Sequence, residues 1–253
     1  MPRRFFPIIF LICGLVAMVS AQKAGKPWTE WDAKEVKKTL DSSAWGQVQT
    51  ETDTREMTYS PTPTASSGST RGMEEGVNNQ ATSTSYHIRF LSARPIREAT
   101  IRDIELKQKK PANDQMKAFI DNKLFDQYIV VSVNFEGKDG RATGRDIQAF
   151  GGANVGVLKN QTYLERKDGK RLFLTEYKAP GSDGLGAKFY FTRMDEGKPF
   201  ITAETGTVRF YSEIPSAPRP DTNSTGSSQM VNVLKLNMRF KTADMMYNGK
   251  LEY

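Results

Sequence analysis

The sequence predicts an α+β protein in which most strands are antiparallel, arranged as a β-sandwich or a strongly curled meander sheet. The densest run of β-branched and aromatic residues without a breaker lies at residues 127–135. Asp-Gly, Glu-Gly or Asn-Gly pairs recur at short intervals after it, as they do between hairpin strands. Two segments with apolar residues at helical spacing precede the run. This combination is typical of an antiparallel meander joined to a few helices.

The run at 127–135 is predicted to be the central strand. One face carries the apolar side chains of Ile129, Val131, Val133 and Phe135. The other face becomes more polar toward its C-terminal end, where Ser132 and Asn134 lie. A strand of a doubly wound parallel sheet would be apolar on both faces. The pattern therefore predicts a sheet with a single dry face.

Residues 1–21 have the features of a secretory signal peptide. Arg3 and Arg4 precede an apolar run, which ends in small residues at Val19-Ser20-Ala21. The alternative is a membrane anchor, but the run is of the order of 15 residues and a spanning helix needs about 20. We therefore predict cleavage after Ala21, a single exported domain at 22–253 and no transmembrane span after cleavage.

Composition narrows the class of protein further. Cys13 is the one cysteine, and it is removed with the signal peptide, so the exported chain can form no disulfide. The absence of disulfides in an exported protein favours a bacterial envelope or secreted protein. The net charge of +7 falls to +5 when Arg3 and Arg4 are removed. Basic and acidic residues are interspersed except in a small cluster at residues 107–110. This distribution predicts solubility and loose attraction to anionic surfaces, and no nucleic-acid partner.

The segment from Trp28 to Trp45 contains all three tryptophans, Trp28, Trp31 and Trp45. A short helix is expected to begin after Asp32, which can form a capping box with Glu35. Trp31 can then pack on Val36 as a hydrophobic staple. Two interpretations stay open for the tryptophans: they pack a helix onto the sheet, or they form an aromatic platform that binds a sugar or a peptide.

Two motifs resemble those of a group of exported bacterial proteins of acidobacterial type. The first is W-T-E-W-x-x-K-E followed by L-x-x-S-x-W, which matches Trp28 to Trp45. The second is R-F-x-S-A-x-P-I-R-E-A, which matches Arg89 to Ala99. The resemblance covers about half of the chain in scattered pieces. It carries no activity, so it implies nothing about catalytic or binding residues.

Helices and loops are predicted on both sides of the second motif. A strand is expected to begin at Tyr86, and a helix follows from Pro95 to about Lys109. A second helix is expected from Asn113 or Asp114 to Leu124. These two amphipathic helices are expected to flank one sheet face. Two stretches poor in apolar residues, at about 60–85 and 215–229, are predicted to be flexible loops.

After the central strand the sequence predicts a meander of hairpins. The predicted turns are centred on residues 138–140, 167–169, 182–184, 195–197 and 248–249. The predicted strands are 162–166, 171–177, 188–193, 207–213 and 231–241, with a last hairpin that ends at Tyr253. The Gly-rich stretch 151–156 lacks the Lys-Ser/Thr ending of a phosphate loop and is interpreted as a flexible bend.

The sequence offers few residues for catalysis. His87 is the only histidine, which together with the absence of a retained cysteine excludes the common zinc ligand sets and a cysteine nucleophile. No Gly-x-Ser-x-Gly motif is present. The aspartates of four predicted turns could bind calcium or form a glycosidase pair: Asp139, Asp168, Asp183 and Asp195. The simpler explanation is that a tight hairpin needs Asp and Gly there.

We therefore expect an exported, non-enzymatic binding or structural module of the periplasm or the extracellular space. The alternative is an envelope hydrolase that uses an Asp/Glu pair. No catalytic residue, metal ligand or cofactor is predicted. The candidate ligand-binding residues are Trp28, Trp31 and Trp45, and the candidate partners are an envelope protein, a polymer or a lipid.

Overall fold

A computed structural model describes residues 26–53, 82–137, 140–216 and 232–253. The helices are α1 (Ala33–Asp41), α2 (Arg94–Gln108), α3 (Asp114–Ile120), α4 (Leu124–Gln127), α5 (Gly140–Gly152) and α6 (Val155–Leu158). Short 3₁₀ turns cover Trp28–Glu30, Ala203–Thr205 and Thr242–Asp244. The predicted signal peptide at 1–21 lies outside the described residues.

The strands alternate with these helices and follow one another closely after α6. They are β1 (Gly46–Asp53), β2 (Thr82–Phe90), β3 (Tyr128–Gly137), β4 (Thr162–Arg166), β5 (Arg171–Phe173), β6 (Glu176–Lys178), β7 (Ala187–Thr192), β8 (Met194–Asp195), β9 (Lys198–Pro199), β10 (Thr207–Ser216), β11 (Asn232–Lys241), β12 (Met246–Tyr247) and β13 (Lys250–Leu251). The predicted α+β class is confirmed. The predicted loops lie largely outside the described residues, although β2 begins at Thr82 and β10 ends at Ser216.

Five strands form one antiparallel sheet in the order β1-β2-β3-β7-β6. β3 lies in the middle of this sheet, so its prediction as the central strand is confirmed. The expected single dry face is wrong, because Ile129 to Val133 are all buried and therefore both faces of β3 are covered. Ile129, Val131 and Val133 lie on the face that carries Phe90, whereas Val130 and Ser132 share the opposite face with His87.

Four further strands form a second antiparallel sheet in the order β11-β10-β4-β5. Aromatic rings of the two sheets contact each other: the ring centroids of Phe90 and Phe240 are 4.8 Å apart, and those of Phe189 and Phe210 are 5.4 Å apart. All four side chains are fully buried. The shared core of the two sheets therefore determines which face of β10 and β11 is left for solvent.

Helix α1 packs on the other face of the five-stranded sheet, against β1 and β2. It begins with the predicted capping box, in which Asp32 accepts a hydrogen bond from the Glu35 N–H at 2.8 Å and Glu35 accepts one from the Asp32 N–H at 2.8 Å. Val36 and Leu40 are its buried residues. Helix α2 packs mainly on α1 and α3, within one residue of its predicted bounds. No helix in the described parts of the chain has both the length and the apolar character needed to cross a bilayer.

Two predictions for the region after β3 are wrong. Gly140 begins helix α5 and is not part of a hairpin, because the apolar residues Ala149 and Phe150 of that helix are buried and Phe150 stacks on Phe135 with a centroid distance of 5.1 Å. The stretch 151–156 is not a flexible bend. Helix α5 continues to Gly152, and Asn154 caps α6 by accepting a hydrogen bond from the Val157 N–H at 3.2 Å.

The predicted strand 171–177 is divided between the two sheets. β5 ends at Phe173 beside β4, and β6 begins at Glu176 beside β7. Leu174 lies between them and is buried, so the chain is anchored in the core where it passes from one sheet to the other. Other turn predictions are confirmed: Gly169 has a φ of +84° between β4 and β5, and Asn248 and Gly249 have positive φ between β12 and β13.

Candidate functional site

The outer face of the four-stranded sheet is exposed to solvent. In β11 the side chains alternate between a buried set, which includes Leu234, Leu236 and Phe240, and an exposed set. Strand β10 alternates with the same period: Val208, Phe210 and Ile214 are buried, and the residues on the opposite face are half-buried. We call the opposite surface the Tyr–Arg face, defined by Tyr163, Glu165, Arg171, Phe173, Arg209, Tyr211, Glu213, Lys235, Asn237 and Arg239.

An aromatic row crosses the Tyr–Arg face at right angles to the strands. The register places Asn237 opposite Tyr211, Tyr211 opposite Tyr163, and Tyr163 opposite Phe173. The Tyr163 ring stacks on Tyr211 with a centroid distance of 5.1 Å and lies 5.9 Å from the Phe173 ring. Tyr163 is consequently buried, whereas Phe173 is 45% exposed. Phe173 is the apolar side chain of this row that a partner can reach most easily.

A charged row lies directly beside the aromatic one. The register places Arg239 opposite Arg209, Arg209 opposite Glu165, and Glu165 opposite Arg171. Glu165 forms ion pairs with Arg209 and with Arg171, the latter at 3.7 Å. The guanidinium of Arg171 lies over the Tyr163 ring, 4.3 Å from its centroid. Two arginines are thus held in fixed positions between a carboxylate and an aromatic ring.

Glu213 completes the site on the other side of the aromatic row. The hydroxyl of Tyr211 donates a hydrogen bond to Glu213, which raises the pKa of Tyr211 to about 12, and Lys235 pairs with Glu213 at 3.4 Å. Tyr211 therefore stays neutral at physiological pH, and its hydroxyl donates a hydrogen bond to Glu213. The face carries four basic side chains and two carboxylates, a net charge of +2. It offers aromatic, cationic and amide groups on one rigid surface.

The three tryptophans predicted from the sequence pack against two different apolar clusters. Trp28 packs against a small cluster formed by Ile101, Ala112 and Ile120, whereas Trp31 and Trp45 pack against the main core. Trp31 and Trp45 flank α1, whose nine residues span about 13 Å. Their indole N–H groups donate to backbone carbonyls, at 3.0 Å to Lys26 for Trp31 and at 2.8 Å to Glu252 for Trp45.

All three tryptophans are nevertheless only partly buried. These contacts favour the packing interpretation, and binding by the tryptophans stays a prediction.

His87 belongs to an ionic cluster that joins α1 to the five-stranded sheet. Asp41 lies 2.8 Å from His87 Nδ1 and 2.7 Å from Arg89, and Lys37 pairs with it at 2.9 Å. Burial would raise the pKa of Asp41, but the hydrogen bonds from His87, Arg89 and Lys37 outweigh it and hold the pKa well below the usual range. His87 Nδ1 therefore donates to an ionised carboxylate. This arrangement fixes the end of α1.

The turn aspartates in the described residues are each paired with a basic side chain. Asp168 pairs with Arg166 at 2.7 Å, Asp183 with Lys188 at 2.7 Å, and Asp195 with Lys170 at 2.6 Å. Asp139 lies outside the described residues. Within the described ranges, no group of three or more His, Cys, Asp or Glu side chains is placed to hold a metal ion.

The alternation of β10 could have revealed the Tyr–Arg face from the sequence. Residues 207–214 read T-V-R-F-Y-S-E-I, so Arg209, Tyr211 and Glu213 share one face once the strand is placed. The sequence does not show that Tyr163 and Phe173 line up beside Tyr211, because strand register depends on the pairing of distant segments.

Comparisons of the chain with protein-family models, with curated proteins and with solved structures find no match. The resemblance to the exported bacterial group stays a prediction. The function proposed below depends on the sequence and on the geometry of the described residues.

Proposed function

We propose that this chain is an exported, non-enzymatic binding module whose Tyr–Arg face holds an acidic segment of a partner protein. One observation carries the proposal: an aromatic row and a charged row lie side by side on an exposed, antiparallel sheet. Tyrosine and arginine are enriched among the residues that dominate binding energy at protein interfaces. The net positive charge of the face selects for an acidic partner.

The arginine side chains of the charged row are already ordered by contacts within the sheet. Arg171 lies on the Tyr163 ring, and Arg209 is paired with Glu165, so neither guanidinium has to be ordered when a partner arrives. Ordering a long side chain at an interface costs about 0.5–1.5 kcal/mol. Arginine also binds carboxylates through two parallel hydrogen bonds. Preorganisation and charge together favour a carboxylate-rich segment over a neutral one.

The size of the face indicates the kind of complex. Strands β10 and β11 have ten residues and are about 33 Å long, whereas β4 has five and β5 has three, with about 4.8 Å between neighbouring strands. The resulting area is on the order of 400 Å², below the roughly 800 Å² that each partner buries in a standard interface. The proposal is therefore a short segment bound reversibly, and not a permanent complex of two folded domains.

The same proposal includes export and a sandwich arrangement of the two sheets. Export is supported by the basic start, the apolar run and the small residues before Gln22. N-terminal sequencing of the protein from its source cell should give Gln22 as the first residue. A protein that still begins with Met1 would contradict export.

The sandwich arrangement of the two sheets is supported by the ring contacts between Phe189 on one sheet and Phe210 on the other.

Hydrolysis by an Asp/Glu pair is less well supported. In the described residues the turn aspartates are paired with basic side chains, as for Asp183 and Lys188. A glycosidase needs two carboxyl groups that face one sugar from opposite sides, roughly 5–10 Å apart. No specific observation favours that arrangement here.

The experiment is site-specific photo-crosslinking in the intact source cell. A photoreactive phenylalanine analogue replaces Phe173 on the Tyr–Arg face, and the control replaces Ile147, which is 58% exposed on α5. The proposal predicts one discrete protein adduct from position 173 and none from position 147. Adding Arg171→Glu should remove the adduct, because it reverses a charge of the binding row.

Two outcomes would contradict the proposal. Equal adducts from positions 173 and 147 would mean that Phe173 is not part of a specific site. A polydisperse adduct that is sensitive to glycan-degrading enzymes and resistant to proteases would assign the face to a polymer and not to a protein.

A further inference from the structure

A second cationic site lies away from the Tyr–Arg face, between the turn at Thr29 and the C-terminal end of α2. It is a cleft of about 370 Å³, within the size range of small-molecule sites. Its lining consists of Thr29, Arg102, Glu105, Lys109, Lys110 and Pro111. Lys109 and Lys110 of this lining belong to the basic cluster at residues 107–110 that the sequence analysis identifies.

The positive charge of the cleft is not neutralised by its one acidic side chain. Glu105 uses both oxygens inside the protein: one accepts the Ala112 N–H at 2.7 Å and the other accepts a bond from Arg102 at 2.9 Å. Within the described residues, neither Lys109 nor Lys110 has an ion-pair partner. Lys107, one turn earlier, pairs with Asp103 at 2.6 Å and does not line the cleft.

Arg102 is held rigidly in the wall of the cleft. Its Nε donates to the carbonyl of Trp31 at 2.9 Å and its Nη1 donates to Glu105. The side chain is 22% exposed, so it is fixed but still reachable. Its second terminal nitrogen has no partner among the described residues. A guanidinium positioned in this way suits an oxyanion with several acceptor oxygens.

Lys109 adopts a backbone conformation that lysine seldom takes. Its φ of +53° and ψ of 35° place it in the left-handed region at the end of α2, where glycine or asparagine is usual. A non-glycine residue there is less stable than glycine, because its Cβ crowds the backbone. The lysine therefore occupies a position where glycine would give a more stable helix end, and Lys109 is one of the residues that line the cleft.

We propose that this cleft binds a phosphoryl group, either as a free phosphate or as the headgroup of an anionic lipid. Three basic side chains and one carboxylate give a net charge of +2, which favours a phosphoryl anion: a phosphate monoester carries about −1.5 to −2 at pH 7, and the phosphodiester of an anionic lipid carries about −1. The C-terminal end of α2 contributes about −0.5, which leaves the cleft cationic.

The test measures binding of inorganic phosphate by titration calorimetry and sedimentation with vesicles of phosphatidylglycerol or phosphatidylcholine. The variant is Lys109→Gly with Lys110→Gln, since glycine suits the left-handed backbone and the fold is kept. The matched control is Lys107→Gln. Wild type and control should bind phosphate or phosphatidylglycerol vesicles, and the double variant should bind at least tenfold more weakly.

The two arms distinguish the sources of the phosphoryl group. Binding of inorganic phosphate without sedimentation assigns the cleft to a soluble ligand. Sedimentation with phosphatidylglycerol that is reversed by inorganic phosphate assigns it to a lipid headgroup. The proposal is overturned if wild type binds neither probe, or if the double variant binds as well as Lys107→Gln.

Discussion

The side chain of Gln49 joins the backbone of Asn237 across the edges of the two sheets: its Oε1 accepts the Asn237 N–H at 2.9 Å. Its Nε2 donates to the Lys235 carbonyl at 2.7 Å, so one amide side chain makes the pair of bonds that a neighbouring strand would make. Gln47 repeats the contact with the Arg239 carbonyl at 3.0 Å. β1 thereby covers the edge of β11, which would otherwise be open to another chain.

The first prediction concerns this edge. Gln49→Ala removes the two hydrogen bonds to β11 and should lower the free energy of unfolding by about 1–3 kcal/mol, at 0.5–1.5 kcal/mol for each bond. It should also promote self-association through β11. Denaturant unfolding and analytical ultracentrifugation measure both effects. Gln115→Ala, at an exposed position of α3, is the control. Equal stability of the two variants would show that the Gln49 contacts do not hold the edge.

The second prediction contrasts two buried aspartates as the pH changes. The pKa of Asp41 is lowered, so its stabilising effect is present above the unfolded pKa of about 3.9 and is lost as the pH falls through the folded pKa. Burial raises the pKa of Asp146 in spite of the hydrogen bond from Tyr86. Its effect has the opposite sign: the stability is present below the unfolded pKa and is lost as the pH rises through the folded pKa.

Asn substitutions separate the two cases. Asp41→Asn should lower the free energy of unfolding at pH 7 by about 2–3 kcal/mol, and the loss should shrink toward pH 3. Asp146→Asn should not lower stability at pH 7, because it replaces a buried charge with a neutral group that still accepts from Tyr86. Urea unfolding between pH 3 and pH 8 measures both. The same pH dependence for both variants would contradict this assignment.

The third prediction compares two glycines. A Cβ at Gly46 would lie 2.1 Å from the carbonyl oxygen of Leu40, so Gly46→Ala should destabilise the start of β1 by more than 2 kcal/mol. A Cβ at Gly144 has no neighbour within 4 Å, and Gly144→Ala in α5 should stabilise the protein by about 0.5–1 kcal/mol. Thermal unfolding should therefore shift in opposite directions for the two variants.

Local signals in the sequence are enough to predict several elements. Asp32 and Glu35 mark the start of α1, and Pro95 marks the start of α2. The β-branched run places β3 in the middle of its sheet. These features depend on residues that are close together in the chain, so they can be predicted from the sequence alone.

Other features depend on segments that are distant in the chain. The sequence pattern of Ser132 indicates solvent, but both faces of β3 are covered in the fold and Ser132 is buried. Arg97 of α2 is buried, and its Nε donates a hydrogen bond to the carbonyl of Ile120 at 2.8 Å. No local sequence pattern predicts this contact. The aromatic row is the same kind of feature, because Phe173 and Tyr211 come to flank Tyr163 only after three strands are in register.

The fourth prediction concerns Trp31. Trp31 packs against the main core but is only partly buried, so Trp31→Ala should lower the free energy of unfolding by about 2–3 kcal/mol, less than a fully buried aromatic residue would. Chemical denaturation measures the change, and iodide should quench the native tryptophans only weakly. An unchanged midpoint with free quenching would favour the alternative of an exposed aromatic platform.

The most direct measurement of the proposed function is the affinity of the partner captured through position 173, determined by titration calorimetry. Phe173→Ala combined with Arg171→Ala should weaken binding by about 10- to 100-fold, or about 1.4–2.8 kcal/mol, because it removes the most exposed ring and a fixed guanidinium. Lys178→Ala, at a half-exposed lysine of β6, should leave the affinity unchanged. An affinity within twofold of wild type for the double variant would contradict binding at the Tyr–Arg face.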